Sequence, residues 1–280
     1  MNIQKIAAFS SGDVGGNPAG VVIDDQLPPP KIMQQIATEI GYSETAFVAP
    51  DGEDWMVRYY ALEGEVAFCG HATIALGVAL ANEVGQEHYH LNLRDGSIDV
   101  SAIKDPEGWQ AELASPVTWS KPLDATLQYQ ILALFDLRPT DLDPRFAPTL
   151  GFAGNRHPII AVHSREVLAQ MSYDFDAGRR LMKAEDLTTI SLIYFEDDFV
   201  IHARNAFAFG GVVEDPATGA AAAALGGALV DQNWGGLSEG GQFELYQGVD
   251  MGSPSRLNVR VSGRPGDSVH VSGTARFIEG

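Results

Sequence analysis

Three side chains in this sequence could carry acid–base chemistry: Glu44, His71 and Asp215. Glu44 is the one carboxylate in the otherwise uncharged segment Tyr42–Val48. If this segment is buried, the ionised carboxylate is disfavoured and the pKa of Glu44 rises toward neutrality, as proton-transfer catalysis requires. From the residues alone, the alternative is that Glu44 is an exposed strand residue.

His71 and Asp215 both lie close to a predicted helix start. The helix dipole disfavours an imidazolium in the first turn, so we expect His71 to be neutral and able to donate or accept a hydrogen bond. A packed or surface histidine is the alternative. Asp215 followed by Pro216 has the residue types of an N-cap and a first helical position. Asp215 could therefore be only a cap, or a cap that also bonds a substrate.

Cys69 is the single cysteine of the chain and stands two residues before His71. A hydrolase nucleophile with His71 as its base is disfavoured, because side chains two residues apart at a helix start diverge. A racemase with two thiols would need a second cysteine. A lone free thiol and the absence of a secretory pattern after Met1 lead us to expect a cytoplasmic protein.

Two stretches of the chain repeat each other, and each predicts an apolar helix that begins with glycine. Residues Glu65–Leu80 recur as Glu214–Leu229, which brings Gly70 and Gly219 to matching positions. The N–H groups at a helix start bind anions, and glycine lets a ligand approach the backbone closely. A single such glycine could merely ease a tight turn. The matched pair favours a shared pocket for a small carboxylate.

The repeat predicts two related lobes. Residues 1–120 and 121–280 are the predicted lobes, with the boundary within 115–150 and a final strand that can return to the N-terminal lobe. A weaker echo, Gly16-Asn17 and Gly154-Asn155, runs into an apolar strand in each half. An apolar helix must be covered on all sides, so we predict an α+β fold of two pseudo-symmetric lobes, each a curled, mainly antiparallel sheet around a central helix.

Charge and hydropathy exclude several classes of partner. The formal net charge of −19 repels nucleic acid and anionic membranes, so we expect neither as a partner. The most apolar stretch, Ala217–Val230, is shorter than the roughly 20 residues that span a bilayer. An anionic substrate would need a local anion-binding site, which the N–H groups at the two helix starts could provide.

The sequence resembles the PhzF-like proteins of phenazine biosynthesis, which are related in fold to diaminopimelate epimerase and proline racemase. The matching segments lie in family order along nearly the whole chain: Gly16–Ala19, Ser43–Val48, Glu65–Ala75, Glu214–Gly219, and Gln247-Gly248 with Met251-Gly252. The resemblance implies an active site between the two lobes, no cofactor, and commonly a homodimer. We expect no metal site.

The resemblance also implies roles for individual residues. It makes Glu44 the acid/base that moves a proton on the substrate, with His71 and Asp215 hydrogen-bonding to the substrate and polarising it. The glycine-led helix starts would hold a carboxylate. We expect these residues to bind the substrate: Asn17, Gly70, Thr218, Gly219 and Ala220.

Two residues depart from the family pattern. Ala220 stands where the family usually has serine after the second Thr-Gly, so one hydroxyl expected near the substrate is missing. Ser253 stands where arginine is frequent. Both departures weigh against the phenazine precursor itself as the substrate.

The resulting hypothesis is a cofactor-independent isomerase that moves a proton on a small carboxylic acid by acid/base catalysis in the cleft between the lobes. One alternative is an amino-acid racemase or epimerase of the same fold, against which the missing second thiol counts. The other is a non-catalytic protein that binds small acids.

Overall fold

The structure is a computed structural model in which residues 3–85, 87–94, 96–106 and 108–278 are described. Its first part, up to residue 114, contains eight strands and two helices among these residues: β1 (Ile3–Ser10), β2 (Asn17–Ile23), α1 (Pro30–Ile40), β3 (Glu44–Asp51), β4 (Asp54–Ala61), β5 (Gly64–Val66), α2 (Gly70–Val84), β6 (His88–Leu93), β7 (Gly96–Asp105) and β8 (Gly108–Ala114).

Residues 118–277 contain the remaining strands and helices: β9 (Thr118–Pro122), α3 (Ala125–Leu134), β10 (Thr149–Ala153), β11 (Arg156–Ala161), α4 (Arg165–Ala169), α5 (Phe175–Glu185), β12 (Ile190–Phe195), β13 (Val200–Ala206), β14 (Glu214–Asp215), α6 (Gly219–Asp231), β15 (Gly241–Gln247), β16 (Ser255–Val261) and β17 (His270–Phe277). Short 3₁₀ segments span Pro139–Asp141, Ala208–Gly210 and Trp234–Glu239.

Each lobe is built around one buried helix, as the repeat predicts. Residues 70–80 of α2 and 219–230 of α6 are all buried. Both helices are rich in alanine, which has the highest helix propensity. Its short side chain keeps the helix narrow, so that a sheet can surround it. Gly77 lets the sheet come closer still, since a Cβ there would lie 2.7 Å from Val100 Cγ2. The hydrophobic core therefore sits between each helix and its curled sheet.

The sheets curl with the same order of strand directions in both lobes. Most strand pairs are antiparallel, and parallel pairs occur at β2–β3 and β4–β6 in one lobe and at β11–β12 and β13–β15 in the other. The last strand, β17, pairs with β1, β8 and β16. The sheet around α2 is thereby closed. The strands of the described residues are connected into one sheet that packs against both α2 and α6, and the predicted α+β class is confirmed.

The last strand, β17, is paired with β1 and β8, and the return of the chain to its N-terminal lobe stays a prediction. The lobe boundary within 115–150 stays a prediction. Among the described residues, no helix is both long and apolar enough to cross a membrane.

Candidate active site

The N-termini of α2 and α6 meet at the centre of the molecule. A Cβ on Gly70 would lie 3.0 Å from Gly219 Cα and 3.1 Å from Ala220 N, and one on Gly219 would lie 3.3 Å from Gly70 Cα. The close approach of the two backbones therefore favours glycine, most strongly at Gly70. Neither N-cap residue, Cys69 or Thr218, caps its helix through its side chain. The first-turn N–H groups of both helices thus face one small region where an anion could bind.

Glu44 reaches this region from the start of β3. Helix α1 ends at Gly41, whose left-handed conformation (φ 75°) turns the chain so that β3 can begin three residues later. The Glu44 side chain is buried, and its Oε2 has no hydrogen-bond partner among the described residues. Burial raises the pKa of Glu44 to about 7. Near neutral pH the carboxyl group is therefore present in both protonation states, as a group that takes and returns a proton must be.

His71 lies beside Glu44 in the first turn of α2. Its Nε2 is 3.5 Å from Glu44 Oε2 and 3.4 Å from Ser43 Oγ, and its Nδ1 is 3.4 Å from Cys69 Sγ. The expectation that the Cys69 and His71 side chains diverge is therefore wrong. Burial lowers the pKa of His71 to about 3, so the ring is neutral. Burial, together with the nearby Glu44 carboxyl, raises the pKa of the Cys69 thiol well above its usual range. Cys69 is consequently a protonated thiol and a poor nucleophile.

Asp215 enters the region from the opposite lobe. Asn17 Nδ2 donates to Asp215 Oδ1 at 2.7 Å, and Thr218 Oγ1 donates to Asp215 Oδ2 at 2.5 Å. Burial, followed by the charge of Glu44, raises the pKa of Asp215 to about 8, although both hydrogen bonds oppose the shift. The interpretation of Asp215 as the N-cap is wrong, because Asp215 ends β14, Pro216 lies in a bend before the helix, and Thr218 is the N-cap of α6.

Gln247 holds Asp215 and the start of α6 in place, and the sequence analysis did not select it. Its Nε2 donates to the Asp215 carbonyl oxygen at 2.6 Å, and its Oε1 accepts from Thr218 N at 3.1 Å and from Asn205 Nδ2 at 3.2 Å. Gln247 is fully buried. The signal that could have identified it is its place in one of the five segments that carry the family resemblance.

A second buried histidine was also missed. His157 on β11 is fully buried, and its Nδ1 lies 2.8 Å from Thr189 Oγ1, directly before β12. Its Nε2 has no hydrogen-bond partner among the described residues. Burial lowers the pKa of His157 to about 3. The available signal was the weaker repeat, in which His157 follows Asn155 by two residues.

The weaker repeat has a matching pair of contacts. Asn17 donates to the carbonyl oxygen of Ala217 at 2.9 Å, and Asn155 donates to that of Phe68 at 3.5 Å. Phe68 and Ala217 occupy matching positions two residues before the glycine of each helix. Each asparagine therefore joins its own lobe to the segment that leads into the helix of the other lobe.

Strand register extends this symmetry to the acid position. Gly20, three residues after Asn17, lies opposite Thr45 in the β2–β3 pair. In the β11–β12 pair Ile159, four residues after Asn155, lies opposite Ser191. The residue three after Asn155 is therefore matched with Ile190, which is at the position of Thr45. The residue that matches Glu44 is therefore Thr189. The acid is present in one lobe and replaced by a hydroxyl in the other.

The site consists of a small inner chamber and a larger outer cavity. The chamber, about 30 Å³, is lined by both helix starts, by Glu44 and by His157. The cavity, about 260 Å³, is mostly apolar. Glu44 lines both spaces and so lies at their junction. A ligand could place an anionic group in the chamber and the rest of its body in the cavity.

The two departures from the family pattern differ in their surroundings. Ala220 is buried and its methyl group lines the chamber, where it offers no hydrogen bond. Ser253 lies outside the chamber lining, and its Oγ donates to the Gly16 carbonyl oxygen at 2.8 Å. Ser253 thereby supports the backbone directly before Asn17. The structure brings the predicted residues together at one place: Asn17, Glu44, Gly70, His71, Asp215, Thr218, Gly219 and Ala220.

One group of three side chains among the described residues has the donor atoms for a metal ion. Ligand atoms of Glu44, Cys69 and His71 lie within 4.8 Å of one another, and all three residues are buried. Metal binding would need the thiolate and carboxylate forms. The raised pKa values of Cys69 and Glu44 oppose this.

Comparison with known proteins places this geometry in a family. Residues 6–280 match the family model PhzC-PhzF, described as phenazine biosynthesis-like protein. The chain is 29% identical to the trans-2,3-dihydro-3-hydroxyanthranilate isomerase of Pseudomonas aeruginosa, over 98% of this chain and 96% of that protein.

Solved structures show the same fold. The PhzF-family phenazine biosynthesis protein of Bacillus anthracis superposes with a TM-score of 0.86 at 23% identity, covering 99% of this chain and 96% of the other. A probable proline racemase from Agrobacterium radiobacter, solved with bound carbonate, gives a TM-score of 0.69 at 12% identity, covering 99% and 90%. The predicted resemblance and the relation to the racemase fold are both confirmed. The chain belongs to the phenazine biosynthesis-like family, PhzC-PhzF, and is an isomerase of that family.

Proposed function

We propose that this isomerase acts without a cofactor on a small carboxylic acid, using Glu44 to take a proton from one carbon and return it to another. The observation that carries the proposal is the state of Glu44. It is a buried carboxyl group with an unpartnered oxygen and a pKa raised to about 7, beside two converging helix starts. Such a group can abstract a proton without first breaking a strong hydrogen bond.

The surroundings of Glu44 suit the charge that develops when a proton leaves a carbon next to a carboxylate. First-turn N–H groups of α2 and α6 would bind the carboxylate. Neutral His71 and the largely protonated Asp215 would hydrogen-bond to the substrate as negative charge grows. Each well-placed donor of this kind is worth about 3 kcal/mol in a transition state.

The deciding experiment is hydrogen exchange with solvent in the Glu44→Gln variant. The protein is incubated in deuterated water with a panel of small unsaturated and amino acids, including trans-2,3-dihydro-3-hydroxyanthranilate, the substrate in the name of the Pseudomonas relative. Wild-type protein should isomerise at least one acid. Glu44→Gln should slow this reaction at least about 100-fold. The exposed Glu39→Gln on α1 is the matched control and should keep wild-type activity.

The same experiment separates the alternatives. Isomerisation that persists in Glu44→Gln would refute the mechanism. Inversion of single enantiomers, with deuterium at the inverted centre, would indicate a racemase or epimerase. In the C-terminal lobe, Thr189 at the position of Glu44 and Thr218 at that of Cys69 weigh against a symmetric two-base racemase. Binding of acids without turnover would indicate a non-catalytic protein.

Two finer expectations remain predictions: a homodimer and a cytoplasmic location. Sedimentation equilibrium of the purified protein would test the first. Fractionation of the source cells, followed by detection of the chain, would test the second.

A further inference from the structure

The inner chamber contains a histidine that the mechanism above does not use. His157 comes from the C-terminal lobe, is fully buried and lines the chamber, and its Nε2 is unpaired among the described residues. Most buried polar atoms in folded proteins have a hydrogen-bond partner. An unpaired ring nitrogen in the wall of a ligand-sized space therefore indicates a contact that a ligand completes.

Thr189 decides which nitrogen of His157 carries the hydrogen. Its hydroxyl lies 2.8 Å from His157 Nδ1, and no other hydrogen bond of this hydroxyl is found in the described residues. If Thr189 donates to Nδ1, its own hydrogen is satisfied and the ring carries its hydrogen on Nε2. The reverse arrangement leaves a buried hydroxyl hydrogen and a buried lone pair both unpaired, which costs more. Nε2–H is therefore a hydrogen-bond donor in the chamber wall.

A donor at this position suits an anion. The chamber also contains the first-turn N–H groups of α2 and α6, and its volume of about 30 Å³ accommodates a carboxylate group but not a larger body. Burial lowers the pKa of His157 to about 3, which keeps the ring neutral. Its donor capacity is therefore fixed by Thr189 and does not depend on protonation near neutral pH.

The outer cavity limits the rest of the ligand. Its lining is mostly apolar and includes Val66, Phe68, Phe207 and Phe209, while the charged Glu63, Glu65 and Lys183 that also line it are exposed. The volume of about 260 Å³ suits a mainly apolar body of about the size of one ring. Phe68 and Phe207 line both the cavity and the chamber. A carboxylate attached directly to such a body would place the adjacent carbon at the junction, beside Glu44.

We propose that His157 Nε2–H binds the substrate carboxylate in the inner chamber, with Thr189 as the residue that positions the hydrogen on this nitrogen. The substrate class that follows is a carboxylic acid joined directly to an apolar, ring-sized body. This inference rests on the proposed function, which places the reacting carbon of the substrate beside Glu44. The carboxylate contact itself can be measured without turnover.

The test uses benzoate as the probe, because it combines a carboxylate with one apolar ring. Binding to the intact protein is measured by isothermal titration calorimetry. His157→Phe, which keeps a flat ring but removes the donor, should weaken benzoate binding about ten- to a hundredfold, the value of a hydrogen bond to a charged group. His157→Gln keeps an amide donor and should restore part of the affinity.

Thr189 provides a matched pair of variants. Thr189→Val has nearly the same shape but no hydroxyl, so the ring can carry its hydrogen on Nδ1 and present a lone pair to the carboxylate. Benzoate binding should fall about tenfold or more. Thr189→Ser keeps the hydroxyl and should bind within about threefold of wild type. If Thr189 had a purely structural role, the loss of benzoate affinity would not depend on whether the variant keeps the hydroxyl group.

Nitrogen-15 NMR of the histidine rings in the wild-type protein tests the contact without any substitution. Nε2 of His157 should carry the hydrogen in the free protein, and its signal should shift when benzoate is added. Benzoate affinity unchanged in a folded His157→Phe variant, a hydrogen on Nδ1, or no benzoate binding by the wild type would each overturn the inference. Isomerase activity retained by Glu44→Gln, with benzoate binding lost in His157→Phe, would refute the catalytic proposal and leave this one intact.

Discussion

The two lobes share a framework but divide the chemistry. Both bring a parallel strand pair beside the buried helix, and both place a glycine at the helix start. Both also pair an arginine with the repeated glutamate: Arg58 with Glu65 and Arg204 with Glu214. These matches are what a duplicated unit retains when its architecture depends on them.

The lobes differ where they face the site. The N-terminal lobe supplies Glu44 and His71, and the matching positions in the other lobe are Thr189 and Ala220. The C-terminal lobe supplies Asp215, where the N-terminal lobe has Val66. One lobe therefore carries the acid/base and the other a polar frame for the substrate. The difference indicates that neither lobe alone contains a complete site.

The arginine–glutamate pairs offer the largest test of the shared framework. Glu214 and Arg204 are 5% and 12% exposed and doubly bonded, with Arg204 Nε 3.0 Å from Glu214 Oε1, whereas Glu65 and Arg58 are each 26% exposed. Glu214→Gln should lower the free energy of unfolding by about 3 kcal/mol, since it removes the charge that is doubly bonded to a largely buried guanidinium and leaves it only Asp250, whose Oδ2 is 4.0 Å from Arg204 Nε. Glu65→Gln should cost less than about 1 kcal/mol. Equal losses in urea denaturation would contradict the assignment of the stronger pair to the C-terminal lobe.

The acid position gives a test through pH. Burial raises the pKa of Glu44 to about 7 from an ordinary value of 4.5, so between these pH values the folded protein holds a proton that the unfolded chain releases. The contribution of Glu44 to stability therefore falls as pH rises through this range, and comparison with Glu44→Gln isolates it because the lowered pKa values of His71 and His157 act in the opposite direction. Glu44→Gln removes this effect, so the free energy of unfolding of the variant, relative to that of wild type, should rise by about 3 kcal/mol between pH 4 and pH 8.

The measurement is urea denaturation of both proteins across that range. Thr189→Val changes the matching position in the other lobe and should keep the wild-type dependence, because it removes no ionisable group and leaves His157, whose pKa is lowered by burial, in place. A Glu44→Gln variant whose unfolding free energy runs parallel to wild type at every pH would show that the Glu44 carboxyl is not held in a desolvated site.

Much of this arrangement could be predicted from the sequence. The glycine-led helices were recognisable because an alanine-rich segment without a polar face must be buried, and because Gly70 and Gly219 repeat at matching positions. The family segments selected Glu44 and Asp215. The cap assigned to Asp215 failed because residue types suggest a cap without revealing where helical geometry begins, which here is after Thr218.

What the sequence could not supply was contact between elements that lie far apart along the chain. Gln247 and His157 are ordinary strand residues by composition, and their importance comes from partners far along the chain. The match of Glu44 with Thr189 depends on strand register, which follows from pairing in three dimensions. The local sequence pattern therefore predicts helices and strands well. It predicts poorly which buried polar side chains contact each other.

The polar frame can be tested by exchanging a residue between lobes. In the C-terminal lobe Gln247 lies opposite Ala203, which corresponds to Val57 of the N-terminal lobe. Met56, directly before Val57, lies opposite Asn92, so Val57 is matched with Leu93. Leu93 is therefore at the position of Gln247. Gln247→Leu should lower the free energy of unfolding by about 2 kcal/mol, because Thr218 N and the Asp215 carbonyl lose a buried partner. The control is Gln242→Leu, at the exposed end of the same strand. Similar losses from both variants would remove the special role of Gln247.

The smallest expected difference separates the two helix starts themselves. A methyl group on Gly70 would meet the backbone of the other helix at 3.0 to 3.2 Å, and one on Gly219 would meet its neighbours at 3.3 to 3.5 Å. Gly70→Ala should therefore lower the free energy of unfolding by about 1 to 2 kcal/mol, and Gly219→Ala by about 1 kcal/mol less. A Cβ on Gly64 has no heavy atom within 4 Å, which makes Gly64→Ala the control. Both helix-start variants should also weaken carboxylate binding, because the added methyl groups push apart the N–H groups that converge on it. Helix starts that accept alanine with unchanged stability and affinity would mean that the lobes do not depend on backbone contact at their shared centre.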